Sequence, residues 1–332
     1  MPGPGRQRSV ADVRLCEHPD FEQAVVRAAE HFSARRLRPA IIEKDYYVTE
    51  ALRAIADAAG DKVIFKGGTS LSKGWDLIER FSEDIDIFLD PLAFTPPLKG
   101  RAIDRGLKRL RDAVGEHPAL TFIADESQTI GGFGRSDHFA YTQHFGGPGE
   151  VRDRVLLETG TASGREPTST VALRSYLAEF LEDTAQSIGA EDEASFSLRL
   201  LHFRRTFVEK MFAIHSKVEL LKRAGQPIGS YARHYYDLYQ LAARPEVRAM
   251  LSSEEYATIK ADYDKISRAH FPKSYFHPED MSFARSDALF PPTDLAVVIG
   301  PEYEQQCRTL CYGPFPSWDE VQAVFNELRD VL

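Results

Sequence analysis

The sequence predicts an α/β (α+β) protein with a small mixed sheet in its first half and a mostly helical second half. Three observations carry that expectation. Before residue 170, short apolar or β-branched runs alternate with glycine turns and amphipathic helices. After it, apolar residues recur at helical spacing in one segment after another. A composition of 43% hydrophobic and 27% charged residues is that of an ordinary globular chain. With 332 residues there is chain enough for two domains, and the change of pattern divides them as 1–170 and 171–332.

Taken in order, 21–34 and 43–58 have helical spacing, the second through Tyr46, Tyr47, Leu52 and Ile55. The run VIFK at 63–66 ends in Gly67-Gly68, the pattern of a strand entering a tight turn. Leu71, Trp75 and Ile78 stand at i, i+4 and i+7, which predicts a one-sided helix capped by Thr69 or Ser70. DIDIFL at 84–89 returns to strand. A basic amphipathic helix is expected over 99–114, and strands over 120–124, 138–144 and 154–158. Ile130-Gly131-Gly132 and Gly146-Gly147-Pro148 supply turns between them. After a loop at 162–168, helices are expected over 173–188, 206–223, 234–243, 253–269 and 318–332. No internal repeat is visible.

The composition excludes several classes. No segment offers the roughly 18 consecutive apolar residues of a membrane span. The opening MPGPGRQRSVADVR places no apolar run behind its basic residues, against a secretory signal, so the cytoplasm is the expected location. Three cysteines, Cys16, Cys307 and Cys311, make neither a disulfide framework nor a zinc site and read as free thiols. A net charge of −9 argues against wholesale polyanion binding. Between Ser197 and Arg223, however, seven Lys or Arg stand against two Glu, enough to steer a phosphate ligand to one face if they are more than a solvated helix surface. The histidines form no HExxH, and no GxSxG or Walker sequence occurs, which removes the hydrolase and P-loop readings.

The chemistry-bearing stretch is VIFKGGTSLSKGWDLIERFSEDIDIFL at 63–89. On a strand, Asp84 and Asp86 point to one face with α-carbons about 7 Å apart, while Ile85, Ile87 and Leu89 take the other. Two carboxylates that close are costly without a cation between them. A divalent metal supplies that cation, and oxygen ligands without His or Cys suit Mg²⁺ rather than zinc. The glycines upstream permit close backbone approach, and a helix beginning there offers unpaired N–H groups to a phosphate. Separately, each part has an ordinary explanation, a packing turn or a solvated strand face. Together they are specific.

GG[ST], a helix and Asp-Ile-Asp on the next strand resemble the nucleotidyltransferase fold of the DNA polymerase β type. FKGGTSLSKGW with RFSEDIDIFL is similar, more narrowly, to the AbiEii/MenT family of type IV toxin-antitoxin systems. Fourteen residues separate Thr69 from Asp84, slightly more than in the general superfamily pattern. Further landmarks follow in order: IIEKDYYVTEALR at 41–53, VEKMFAIHSK at 208–217, RHYYDLYQL at 233–241 and YEQQCRTLCYGPFPSWDEVQ near the end.

The resemblance implies a metal-dependent nucleotidyltransferase toxin with Mg²⁺, or Mn²⁺ in its place, bound by Asp84 and Asp86. Gly67, Gly68, Thr69, Ser70, Lys73, Ser82 and Lys217 are implied in nucleotide binding. On the 206–223 helix, Phe207, Met211, Ile214, Val218 and Leu221 form an apolar stripe with Lys210 and Lys217 on its flank. Snorkelling stems are the ordinary reading of such lysines; the family's Glu-Lys motif implies a triphosphate contact for Lys210. Asp237, on an apolar helix, wants a partner. That partner is Arg233 or a nearby Lys on the ordinary reading, while the resemblance implies a catalytic Asp that positions Lys210 or the substrate hydroxyl. Glu158 in RVLLETG is the candidate third carboxylate, acting as base, with Asp153 and Glu166 close rivals. Ser82, ordinarily a turn residue, falls where some family toxins are inactivated by phosphorylation.

The residues and the resemblance together give an expected function: transfer of NMP from an NTP to an acceptor, the 3′ end of tRNA, blocking translation. An antitoxin of repressor or kinase type is the expected partner. The rivals are NMP transfer to a protein or small molecule, and a non-catalytic NTP- or RNA-binding module.

Overall fold

The computed structural model describes residues 13–82, 84–146 and 151–332. The basic N-terminal stretch before residue 13 and the Gly147-Pro148 part of the second glycine turn lie outside them. The helices are α1 (Phe21–His31), α2 (Pro39–Ala59), the single turn α3 (Gly67–Thr69), α4 (Arg101–Gly115), α5 (Tyr176–Asp183), α6 (Phe203–Ala224), α7 (Arg233–Ala242), α8 (Pro245–Leu251), α9 (Glu254–His270), α10 (Thr293–Leu310) and α11 (Trp318–Leu328). The strands are β1 (Val63–Lys66), β2 (Asp84–Leu89), β3 (Thr121–Ile130), β4 (Gly134–Ala140), β5 (Arg154–Gly160), β6 (Thr168–Leu173) and β7 (Phe196–Leu201). They make a seven-stranded mixed sheet, and the fold class is the expected mixed α/β. The chain forms two interleaved units. One contains Met1–Ile64, Glu83–Gly160 and Thr170–Arg199; the other contains Phe65–Ser82, Thr161–Ser169 and Leu200–Leu332.

In the first unit the strand order is β3-β4-β5-β2, with β2 parallel to β5 and the other pairs antiparallel. Alternation sorts β2 as expected: Ile85 and Ile87 are buried, while Asp84 and Asp86 are half-buried. α4 covers the apolar face, since a side chain at Gly106 would strike Leu89 and one at Gly115 would touch Phe139. That leaves the aspartates on the opposite face. α2 organises the connections through three successive residues. Glu43 accepts hydrogen bonds from the backbone N–H groups of His144 and Phe145, both 2.9 Å. Lys44 donates to the carbonyls of Arg152 and Arg154, and Asp45 accepts from the Tyr176 N–H at 2.8 Å. The segment entering β5 is thereby held at a fixed height relative to α2.

The second unit is a helical assembly around Phe207, Met211, Phe212, Tyr235, Leu238, Phe283, Tyr303 and Phe325, all fully buried. β1 enters it and pairs in parallel with β7, Phe65 opposite Leu200. The expected helix through Leu71, Trp75 and Ile78 does not form as drawn. Residues 67–69 make one α-turn, 70–74 a π-turn, and the helix stops there. Gly74 weakens it, and Asp76, at φ 50°, turns the chain left-handed, a conformation Asp tolerates better than most residues. Thr69 and Ser70 therefore lie inside the helical stretch and do not cap it; Lys66 is at the cap position. Leu71 and Ile78 still enter the core.

Three further expectations are corrected. Residues 173–175 belong to β6 and its exit, so α5 begins only at Tyr176. β6 and β7 were not anticipated, and neither were α8 and α10. Hydrophobic patterning had marked α6, α7, α9 and α11 to within a few residues. Among the described residues no helix is long and apolar enough to cross a membrane. Cys16, Cys307 and Cys311 are free thiols.

Candidate active site

The first unit presents Asp84 and Asp86 on one strand face. Parallel register sets Asp86 opposite Glu158 and Asp84 opposite Leu156, so Glu158 projects to the same side as the pair. Glu158 is exposed. On the next strand Ser136 stands opposite Glu158. Among the described residues, no group of three or more His, Cys, Asp or Glu side chains is gathered closely enough to hold a metal ion. The donor set nevertheless fits Mg²⁺, which takes one or two protein carboxylates and completes its octahedron with water and substrate phosphate. It does not fit zinc, which would demand nitrogen or sulfur ligands. The opposite face carries a different device. There Arg135 grips Asp137 through two hydrogen bonds of 2.9 and 2.6 Å, one buried charge satisfying another.

The second unit contains the glycine turn and a buried charge cluster. Gly67 sits at φ 78°, where only glycine is comfortable. Gly68 is required for a different reason: a β-carbon there would lie 2.7 Å from Arg80 Nη2 and 2.8 Å from Ser82 Oγ. Thr69 donates its hydroxyl to Ser82 Oγ at 2.9 Å. The fully buried Ser70 turns its hydroxyl inward to the Gly67 carbonyl, also at 2.9 Å, and so braces the turn. Lys73 is half-buried on the π-turn.

Arg80 is 1% exposed. Its guanidinium forks onto Asp237, Nε to Oδ1 at 2.6 Å and Nη2 to Oδ2 at 2.8 Å, while Nη1 donates to the Phe81 carbonyl. Asp237 Oδ2 also accepts from Lys210 Nζ at 2.7 Å, and Lys210 reaches His234 Nδ1 at 3.2 Å. Of the two ordinary partners expected for Asp237, the nearby lysine is the one found, together with an arginine that sequence reasoning missed. The backbone that carries Arg80 is held from outside: Phe81 N–H donates to the Leu310 carbonyl, Tyr312 N–H to the Glu79 carbonyl, and Arg80 bridges Cys311. Lys217 lies elsewhere on α6, its ammonium 4.4 Å from the Tyr231 ring centre, and Tyr231 packs edge-on against His234.

The electrostatics of the cluster follow from burial. Burial alone would push the Asp237 carboxyl up, but Arg80 and Lys210 outweigh it and hold it well below the usual carboxylate range. Burial pulls the Lys210 ammonium down, Asp237 opposes that, and the neighbouring Arg80 adds to the downward pull. Burial and then Lys210 push the His234 imidazole down to about 3, so it is neutral and accepts from Lys210. Two cations therefore face one carboxylate, leaving a buried surplus of positive charge against the Gly67–Gly68 turn. Such a surplus is costly unless an anion completes it.

Arg80 carried a signal that could have found it, being the one Lys or Arg between Lys73 and Lys99 in the sequence, among acidic neighbours such as Glu79 and Glu83. His234 did too, one helical turn from Asp237.

A mixed α/β chain with a Gly-Gly-Thr-Ser turn and an Asp-x-Asp strand following it has the combination expected of a nucleotidyltransferase enzyme, and the family match shows that class. The family model described as "Nucleotidyl transferase AbiEii toxin, Type IV TA system" matches residues 50–321, and the chain belongs to that family. As a type IV toxin it acts on an NTP and is countered by a cognate antitoxin. Among solved structures, MenT4, the nucleotidyltransferase toxin Rv2826c from Mycobacterium tuberculosis H37Rv, aligns at 15% identity with a TM-score of 0.46, covering 93% of this chain and 96% of that one. No curated protein matches.

Proposed function

We propose that the chain transfers NMP from an NTP to the 3′ end of tRNA, using Mg²⁺ or Mn²⁺, and so blocks translation in the cytoplasm. The observation that carries the nucleotide half of this reading is the buried positive surplus of Arg80 and Lys210 over Asp237, pressed against a turn that only glycine can make. A triphosphate is the anion that such a place suits.

In this reading Gly67, Gly68 and Thr69, with Ser70 bracing the turn and Lys73 and Lys217 contributing charge, hold the phosphates together with Lys210. Asp237 positions Lys210. Asp84 and Asp86 hold the metal, which when bound supplies neutralisation of charge developing on the α-phosphate. Glu158 accepts the proton of the attacking hydroxyl. A phosphate placed on Ser82 adds negative charge beside Thr69 and repels the triphosphate. Residues 1–170 then act as the catalytic domain and 171–332 as the helical domain supplying NTP and acceptor contacts.

The test is incubation with each labelled NTP, Mg²⁺ and total tRNA, followed by sequencing of RNA 3′ ends, with protein and small-molecule acceptors in parallel. Nucleotides added to RNA ends support the reading. Label on protein with tRNA unmodified overturns the acceptor, and toxicity unchanged in Asp84→Ala overturns catalysis.

A further inference from the structure

We infer that Arg80 is a positioning residue for nucleotide transfer: its fork on Asp237 sets both the place and the charge of the Lys210 ammonium and links them to the Gly67–Gly68 turn. This inference rests on the nucleotidyltransferase reading of the cluster and names a residue outside the expected site.

The geometry separates Arg80 from a plain buried ion pair in three ways. First, it occupies both oxygens of Asp237, so Lys210 shares Oδ2 and owns neither. An ammonium has three donors; one goes to Asp237 and one to His234 Nδ1. Second, its Nη2 closes on Gly68, 2.7 Å from where a β-carbon would sit. The tip of a free arginine would swing aside, but this one is held by two short bonds to Asp237 and a third to the Phe81 carbonyl. Movement at the turn and movement at Asp237 are therefore coupled through one rigid plane. Third, its backbone is clamped by the segment 310–312, so the guanidinium has a fixed anchor.

The charged groups that face Lys210 are Asp237, His234 and Arg233 from α7 and Arg80 from the glycine-turn segment. Asp237 favours its charged form, and Arg80 and Arg233 oppose it. Removing Arg80 deletes one like charge and frees Asp237 for Lys210, so the ammonium then holds its proton to higher pH. If phosphate binding needs the charged lysine, activity falls as pH rises through the Lys210 pKa, and loss of Arg80 moves that alkaline limb upward. A role confined to folding lowers active enzyme equally at every pH and leaves the limb in place.

The experiment compares wild type, Arg80→Gln and Arg80→Lys in the full chain. Two readouts are taken against pH: nucleotide transfer, and the rate at which acetic anhydride labels Lys210, read by peptide mass spectrometry without any substrate. Arg80→Gln is expected to shift the Lys210 labelling profile and the alkaline limb to higher pH and to raise the KM for NTP about tenfold. Arg80→Lys keeps the charge but loses the fork; it is expected to leave the pH profile near that of wild type while still raising KM. Unmoved labelling profiles in Arg80→Gln, in protein that gives the wild-type circular dichroism spectrum, overturn the inference. If Arg80→Gln does not fold, Arg80→Lys decides, and an unchanged KM in that variant overturns it as well. Absence of transfer by the wild type overturns the functional reading instead, and the labelling arm still tests the electrostatic link.

Discussion

The two charged regions of this protein solve opposite problems. On β2, Asp84 and Asp86 are like charges on a half-buried face, where solvent lowers the cost of their repulsion. In the cluster of α6 and α7, Arg80, Lys210 and Asp237 are almost wholly inside the protein, and each depends on the others. The first region is an incomplete ligand set that folding tolerates. The second is a part of the core that happens to be charged. The difference teaches that stability and activity should separate at the first region and move together at the second.

Asp237→Ala is the largest way to test that contrast. It leaves two buried cations without their carboxylate, and loss of one partner from a buried pair costs about 3–5 kcal/mol. Urea denaturation should show that loss, with transfer abolished. A variant as stable as wild type would show that the cluster is not part of the core. Asp84→Asn is the converse: transfer is expected to fall by about a thousandfold or more, while the loss of stability stays well below that of Asp237→Ala, since the side chain is half-buried rather than enclosed. A large drop in melting temperature for Asp84→Asn would erase the distinction.

His234 gives an acid-side test. Its folded pKa is about 3 against about 6.5 unfolded, so the unfolded state binds the proton first as pH falls. Stability is then lost below pH 6.5, by about 2 kcal/mol at pH 5. His117 and His202, each pushed down to about 4 by burial, act in the same direction. Melting curves at pH 7 and pH 5 should therefore converge in His234→Asn relative to wild type; an equal acid loss in both would remove His234 from the account. The smallest effect is at the first region: Glu158→Gln should lower transfer by about tenfold to a hundredfold, and full activity at every pH would exclude it as the base.

Much of the first region was legible because its logic is local. Period-two alternation in DIDIFL put two aspartates on one face, and the glycines marked the end of β1 to the residue. β6 and β7 were hidden because TSTVAL and FSLRLL lack flanking glycine turns and run directly into helical patterns. α10 contains Gly300-Pro301, which reads as a break, yet the helix runs through it. In the second region, the expectation that Asp237 would find a basic partner was met, but Arg80 lies 157 positions away from it in the chain. No window of sequence shows such a pairing. Tertiary closure decides it.

The antiparallel bridge between Arg80 and Cys311 has a consequence in time. Arg80 is translated before Asp237, and Asp237 before the clamp at Leu310 to Tyr312. Domains fold as units once their segments are available, so the anchored form of the charge cluster waits on a segment far downstream of Arg80.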